Sequence, residues 1–106
     1  MQVKLNDKNE YLVAEVVHRN GQYRLSVHKE FQKDYGGGVI MREFTPFADG
    51  NFITTLFEGR KSSKKLEKLN NLLETNKKII TDFWTNGKYG NLVYYVDSLV
   101  KTTMGK

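Results

Sequence analysis

Residues 11–31 decide the fold: Tyr11-Leu12-Val13-Ala14-Glu15-Val16-Val17-His18-Arg19-Asn20-Gly21-Gln22-Tyr23-Arg24-Leu25-Ser26-Val27-His28-Lys29-Glu30-Phe31. Two runs rich in strand-forming residues flank Asn20-Gly21, a dipeptide whose members both tolerate the positive φ angles of a type I′ turn. A two-residue loop there sets the register. Arg19 faces Gln22, Val17 faces Arg24, Glu15 faces Ser26 and Val13 faces His28. The alternate pairs are His18 with Tyr23, Val16 with Leu25, Ala14 with Val27 and Leu12 with Lys29. Side chains alternate across a strand, so this register gathers Leu12, Ala14, Val16, Tyr23, Leu25, Val27 and Phe31 on one face, the expected core. The other face carries Tyr11, Val13, Glu15, Val17, Arg19, Arg24, Ser26, His28 and Glu30.

Beyond this hairpin, Gln32 to Gly38 reads as a polar loop. Gly36-Gly37-Gly38 lacks the lysine and hydroxyl of a Walker loop and no helix follows it, so it is not read as a phosphate cradle. A second hairpin is expected from Val39–Phe47 and Phe52–Glu58 around Ala48-Asp49-Gly50-Asn51. It implies the pairs Phe47–Phe52, Thr45–Thr54, Pro46–Ile53, Phe44–Thr55 and Arg42–Phe57. Its faces are mixed. Ile40, Phe44, Ile53 and Phe57 read as core, which turns Met41, Phe47, Phe52 and Leu56 the opposite way. Either the sheet is covered on both sides, or one side keeps aromatics for a partner. Pro46 cannot donate a ladder hydrogen bond and favours a sheet edge.

Residues 60–84 supply the covering layer. At about 100° per residue, Leu66, Leu69, Leu72, Leu73, Ile79, Ile80, Phe83 and Trp84 fall on one arc roughly 140° wide. Ser62 or Ser63 is the expected N-cap. Unbroken to Trp84 the helix would run roughly 35 Å, long for this chain, and Asn76 in mid-arc marks the expected kink. Thr85 to Asn91 reads as loop, and Leu92 to Val100 as a shorter helix with Leu92, Val96, Leu99 and Val100 on one side. The expected architecture is a single α+β domain over residues 1–106. A four-stranded antiparallel sheet of two hairpins precedes one long amphipathic helix and one shorter C-terminal helix.

Composition narrows the function. A chain of 106 residues, 39% hydrophobic, buries one core without disulfides. With no cysteine there is no disulfide framework, thiolate metal site or cysteine nucleophile. No apolar run suggests a signal peptide or membrane span, so a cytoplasmic protein is expected. His18 and His28 fall on opposite faces of the hairpin and cannot share a metal, and no nucleophile motif accompanies them. We expect no enzyme, no metal and no cofactor.

The net charge of +5 tilts the expected partners toward nucleic acid or an acidic protein surface. Most of that charge lies in residues 60–84, where Arg60, Lys61, Lys64, Lys65 and Lys68 form a basic run. Such a run is either a solvated helix face or a phosphate-contacting stripe. On the non-core sheet face Tyr11, Arg19, Arg24 and His28 combine ring faces with cations, as sequence-tolerant single-strand binding requires. The expected site is therefore Tyr11, Arg19, Arg24, His28, Arg60, Lys61, Lys64 and Lys68, binding single-stranded DNA or RNA. The other reading is a small protein-interaction module or inhibitor of the kind mobile genetic elements carry. The first reading needs contiguous cationic sheet and helix surfaces, and the second needs an exposed apolar patch without that continuity.

In topology alone, residues 11–84 resemble the small single-strand-binding folds of the transcriptional-coactivator and purine-rich-element-binding kinds. No motif carries family residues across. The resemblance implies a homodimer through helix and sheet edge, for which the wide arc of residues 66–84 leaves room.

Overall fold

The computed structural model describes residues 1–34, 40–44 and 50–104, with backbone only at 33–34 and 40–44. The chain is α+β. Strands β1 (Gln2–Lys4), β2 (Glu10–Arg19), β3 (Gln22–Asp34), β4 (Ile40–Phe44) and β5 (Phe52–Glu58) precede helices α1 (Ser63–Thr75), α2 (Lys77–Thr85) and α3 (Tyr89–Thr103). Every described strand pairing is antiparallel.

The β2–β3 hairpin has the register that Asn20-Gly21 dictates, from Arg19↔Gln22 to Leu12↔Lys29. Both turn residues have positive φ, 54° and 76°. Leu12, Ala14, Val16, Tyr23, Leu25 and Val27 are buried; Phe31, expected with them, is only partly covered. The sheet gains a strand, because Gln2-Val3-Lys4 pairs with Tyr11–Val13.

The second hairpin differs from the expectation. β4 and β5 do not pair with each other; both lie along the same edge of the long strand β3. Phe44 faces Glu30 rather than Thr55, and Phe57 faces Tyr23 rather than Arg42. Five strands thus occupy four positions across the sheet. Asn51 bridges the gap between them, its Oδ1 accepting from the Lys29 amide at 2.9 Å. The rest of the expected connection, with Gly36-Gly37-Gly38, Pro46 and Phe47, lies outside the described residues.

A register shift between Tyr23 and Arg24 explains the mixed faces of β5. Leu56 is the extra residue, so Leu56 and Phe57 both turn to the helical side while the alternation inverts below them. Phe52, Leu56 and Phe57 pack on the core, and Ile53, expected inside, is 63% exposed.

All three helices contribute to one core on the same side of the sheet, through Leu69, Leu73, Ile80, Leu92, Val96 and Val100. Ser62 is the N-cap, its Oγ accepting from the Lys65 amide at 3.2 Å. The long helix divides at Asn76, which ends α1 and begins α2. Asn76 donates to the Leu72 carbonyl and accepts from the Tyr95 hydroxyl of α3, at 2.8 and 2.9 Å. The break shifts the phase of the arc, leaving Ile79 exposed. The C-terminal helix is not the shorter one: α1, α2 and α3 have 13, 9 and 15 residues. The apolar spacing of Leu92, Val96 and Val100 carries it through residues whose composition suggests loop.

Asn70 joins the layers in a way its helical position gives no reason to expect. Its amide accepts from the Val16 N–H at 2.9 Å and donates to the Val16 carbonyl at 3.1 Å. Val16 lies on β2 beyond the short β1, so Asn70 stands in for a missing neighbouring strand. Asn70→Leu is expected to cost about 2–4 kcal/mol, because both backbone groups lose their partner while partly buried. A urea denaturation curve checks this.

Candidate nucleic-acid interface

The sheet has two unlike sides. The helices cover the side of Leu25; among the described residues no helix lies over the side of Arg24. The second side is built by the alternation that builds the core. Lys4 of β1 faces Tyr11, Tyr11 faces Glu30, Val17 faces Arg24 and Arg19 faces Gln22. Ser26 faces Ile53 and Arg24 faces Thr55. Glu15, Arg19, Ile53 and Thr55 are exposed, so the centre and the hairpin end of this side are open.

The other end is closed. Glu30 and Gln32 are buried despite lying on the outer side. His28 Nε2 lies 2.9 Å from Glu30 Oε1, Gln32 donates to Glu30 Oε2 at 3.1 Å and Gln2 donates to Gln32 Oε1 at 3.3 Å. His28 is therefore held in a polar network and is mostly covered.

The eight expected residues separate into groups. Tyr11 and His28 lie near the closed end. Arg19 and Arg24 lie at the hairpin end, where Arg24 donates through Nε and Nη2 to Gln22 Oε1 at 3.2 and 2.7 Å. Arg60 and Lys61 are exposed at the same end, but the chain leaving β5 turns there toward the helical side, tied to the hairpin through His18 and Tyr23. The Gly59 amide donates to the Gly21 carbonyl at 2.9 Å, and His18 Nε2 lies 2.8 Å from the Gly59 carbonyl. The Tyr23 hydroxyl donates to the Arg60 carbonyl at 2.5 Å and accepts from the Ser62 amide at 3.0 Å.

Lys64 and Lys68 are elsewhere. They sit exposed on α1, across the sheet from Tyr11, and line a groove with Glu67, Asn71, Leu72, Thr75 and Thr103. The sheet cations and these helix lysines do not form one surface. Phe52 also leaves the outer side, since the bulge places it on the core. The apolar arc that leaves room for a dimer is largely used within the chain: Leu69, Leu73 and Ile80 are all buried.

Sequence reasoning missed Lys4, Ile53 and Thr55 as outer-side residues. The alternation of Gln2-Val3-Lys4 could have revealed Lys4, but three residues are too few to stand out as a strand. Glu15, exposed in mid-face, opposes a polyanion. Among the described residues, no group of three or more histidines, aspartates or glutamates is placed to hold a metal ion. Nor does any described helix have the length and apolarity to cross a membrane. No protein-family model, curated protein or solved structure matches this chain.

Proposed function

We propose that the protein is a non-enzymatic binder of single-stranded nucleic acid, acting in the cytoplasm and using the helix-free side of its sheet. The observation that carries this reading is a sheet side open at its centre and hairpin end, in a chain of net charge +5, with Arg19 and Arg24 at that end and exposed Lys4 beside half-buried Tyr11 toward the other. Along β3 the distance from opposite Tyr11 to Arg24 is roughly 20 Å at about 3.3 Å per residue, enough for several nucleotides. Tyr11 offers a ring to a base, while Lys4, Arg19 and Arg24 take the phosphates. Arg60 and Lys61, at the rim of the hairpin end, add to the positive potential there. Lys64 and Lys68 act through the field of the whole protein and speed encounter rather than making contacts.

Fluorescence anisotropy with a labelled single-stranded oligonucleotide, repeated across salt concentrations, tests this. Affinity should fall as salt rises, and changing Arg19 and Arg24 to Gln should flatten the logarithmic slope by roughly 0.7 per lost contact. Tyr11→Ala should weaken binding by about 1–3 kcal/mol with the slope kept, because stacking displaces no counterion. Glu15→Gln should tighten binding a few-fold, the scale of one exposed charge. Absence of binding to both single-stranded DNA and RNA at low salt would overturn the proposal. A second reading, a protein-interaction module, is supported by exposed Ile53 and by an edge of β5 that pairs with no described strand.

A further inference from the structure

The outer edge of the sheet, away from the proposed nucleic-acid side, has its own concavity. β5 pairs with β3 along one edge, and its other edge meets no described strand. The bulge turns Leu56 and Phe57 together toward the helices, and α3 passes beside them. Between the two elements is a slot of about 330 Å³ lined by Leu56, Phe57, Glu58, Asp97, Val100, Lys101 and Met104, with Lys65 of α1. Leu56, Phe57, Val100 and Met104 give it an apolar floor, and two lysines and two carboxylates rim it. Lys101 is neutralised by Asp97 at 2.8 Å, and Glu58 is exposed to water. Lys65 is half-buried, its Nζ 5.5 Å from the Tyr23 ring centroid and 5.7 Å from that of Phe57. No described carboxylate lies within ion-pair distance of it.

We propose that this slot docks the C-terminal end of an extended peptide from another protein, one that ends in a large apolar residue. Three features fit that occupant together. A strand edge that no described strand pairs satisfies a peptide backbone by strand addition, and the adjoining slot takes one alternate side chain on its apolar floor. The ammonium of Lys65, with aromatic rings on one flank and no described carboxylate in ion-pair reach, complements a terminal carboxylate. A nucleic acid offers no apolar side chain for the slot, and an internal peptide segment offers no terminal carboxylate.

The test starts from a displayed peptide library with free C-terminal ends, panned on the full chain. The strongest binder is then synthesised as the free acid and as the carboxamide. Enriched peptides should share an apolar last residue, and the carboxamide should bind at least tenfold more weakly. Lys65→Gln should erase the difference between acid and carboxamide, and Lys65→Arg should retain it, which separates charge recognition from a folding defect. Neither variant should change oligonucleotide affinity beyond a few-fold, and loss of oligonucleotide binding in the native chain leaves this proposal standing. No enrichment, equal binding of acid and carboxamide, or an unchanged preference in Lys65→Gln would each overturn it. A dimer in sedimentation that Leu56→Lys dissolves would also overturn it, by assigning the edge to a second copy.

Discussion

Leu25→Ala is expected to lower the unfolding free energy by about 2–5 kcal/mol, the range for truncating a buried leucine. Leu25 is fully buried in β3, the strand that pairs with β2 on one side and with β4 and β5 on the other. It meets Val16 directly across the hairpin, and the helical layer covers it, so little can collapse into the space it leaves. Arg24 is its neighbour in sequence but points to the opposite side of the sheet. Arg24→Ala should therefore stay within roughly 0.5 kcal/mol, as surface substitutions usually do. Urea denaturation of the two variants compares adjacent residues that differ in face. A midpoint unchanged by Leu25→Ala would mean the sheet is inside out.

Gly50→Ala is expected to cost about 2–4 kcal/mol, from two separate causes. Gly50 has φ of +84°, where a side chain is strained. A Cβ there would also run into Trp84 Nε1 and lie 2.8 Å from the Tyr89 ring, so the rings must move. Trp84 Nε1 is buried without a hydrogen-bond partner among the described residues, and the indole packs on the core. Trp84 is the only tryptophan of the chain, so its fluorescence reports the displacement while thermal unfolding reports the loss. Native emission together with a native Tm in the Gly50→Ala variant would contradict this packing.

These two sites differ in how far the sequence shows them. Leu25 is legible because period-two alternation and the Asn20-Gly21 turn together leave only one register that sorts the residues. Asn76 is legible as well, a polar residue in the middle of an otherwise apolar arc. The β5 face is not. One extra residue at Leu56 inverts the alternation, and a bulge leaves no local signal when both residues at the shift are apolar. Asn70 is hidden for a related reason: its partner is the backbone of Val16, which sequence periodicity does not represent. Gly50 reads as a turn residue, yet its contact with Trp84 is tertiary. The candidate site divides in the same way. Membership of Tyr11, Arg19 and Arg24 in one face follows from strand parity. That Lys64 and Lys68 lie across the sheet follows only from where α1 packs, and the covering of His28 follows from burial of Glu30.

The central claim is that a single strand lies on the helix-free side of the sheet, and amide chemical-shift mapping by NMR tests it most directly. Adding a short single-stranded oligonucleotide at low salt to the isotopically labelled protein should move the amides of Lys4, Tyr11, Val13, Arg19, Arg24, Ser26 and Thr55. The amides around Lys64, Lys68 and Asn71 on the exposed side of α1 should stay in place. Shifts confined to residues 60–71, with β2 and β3 unmoved, would contradict the account, because attraction to the lysine-rich helix alone would then explain the binding.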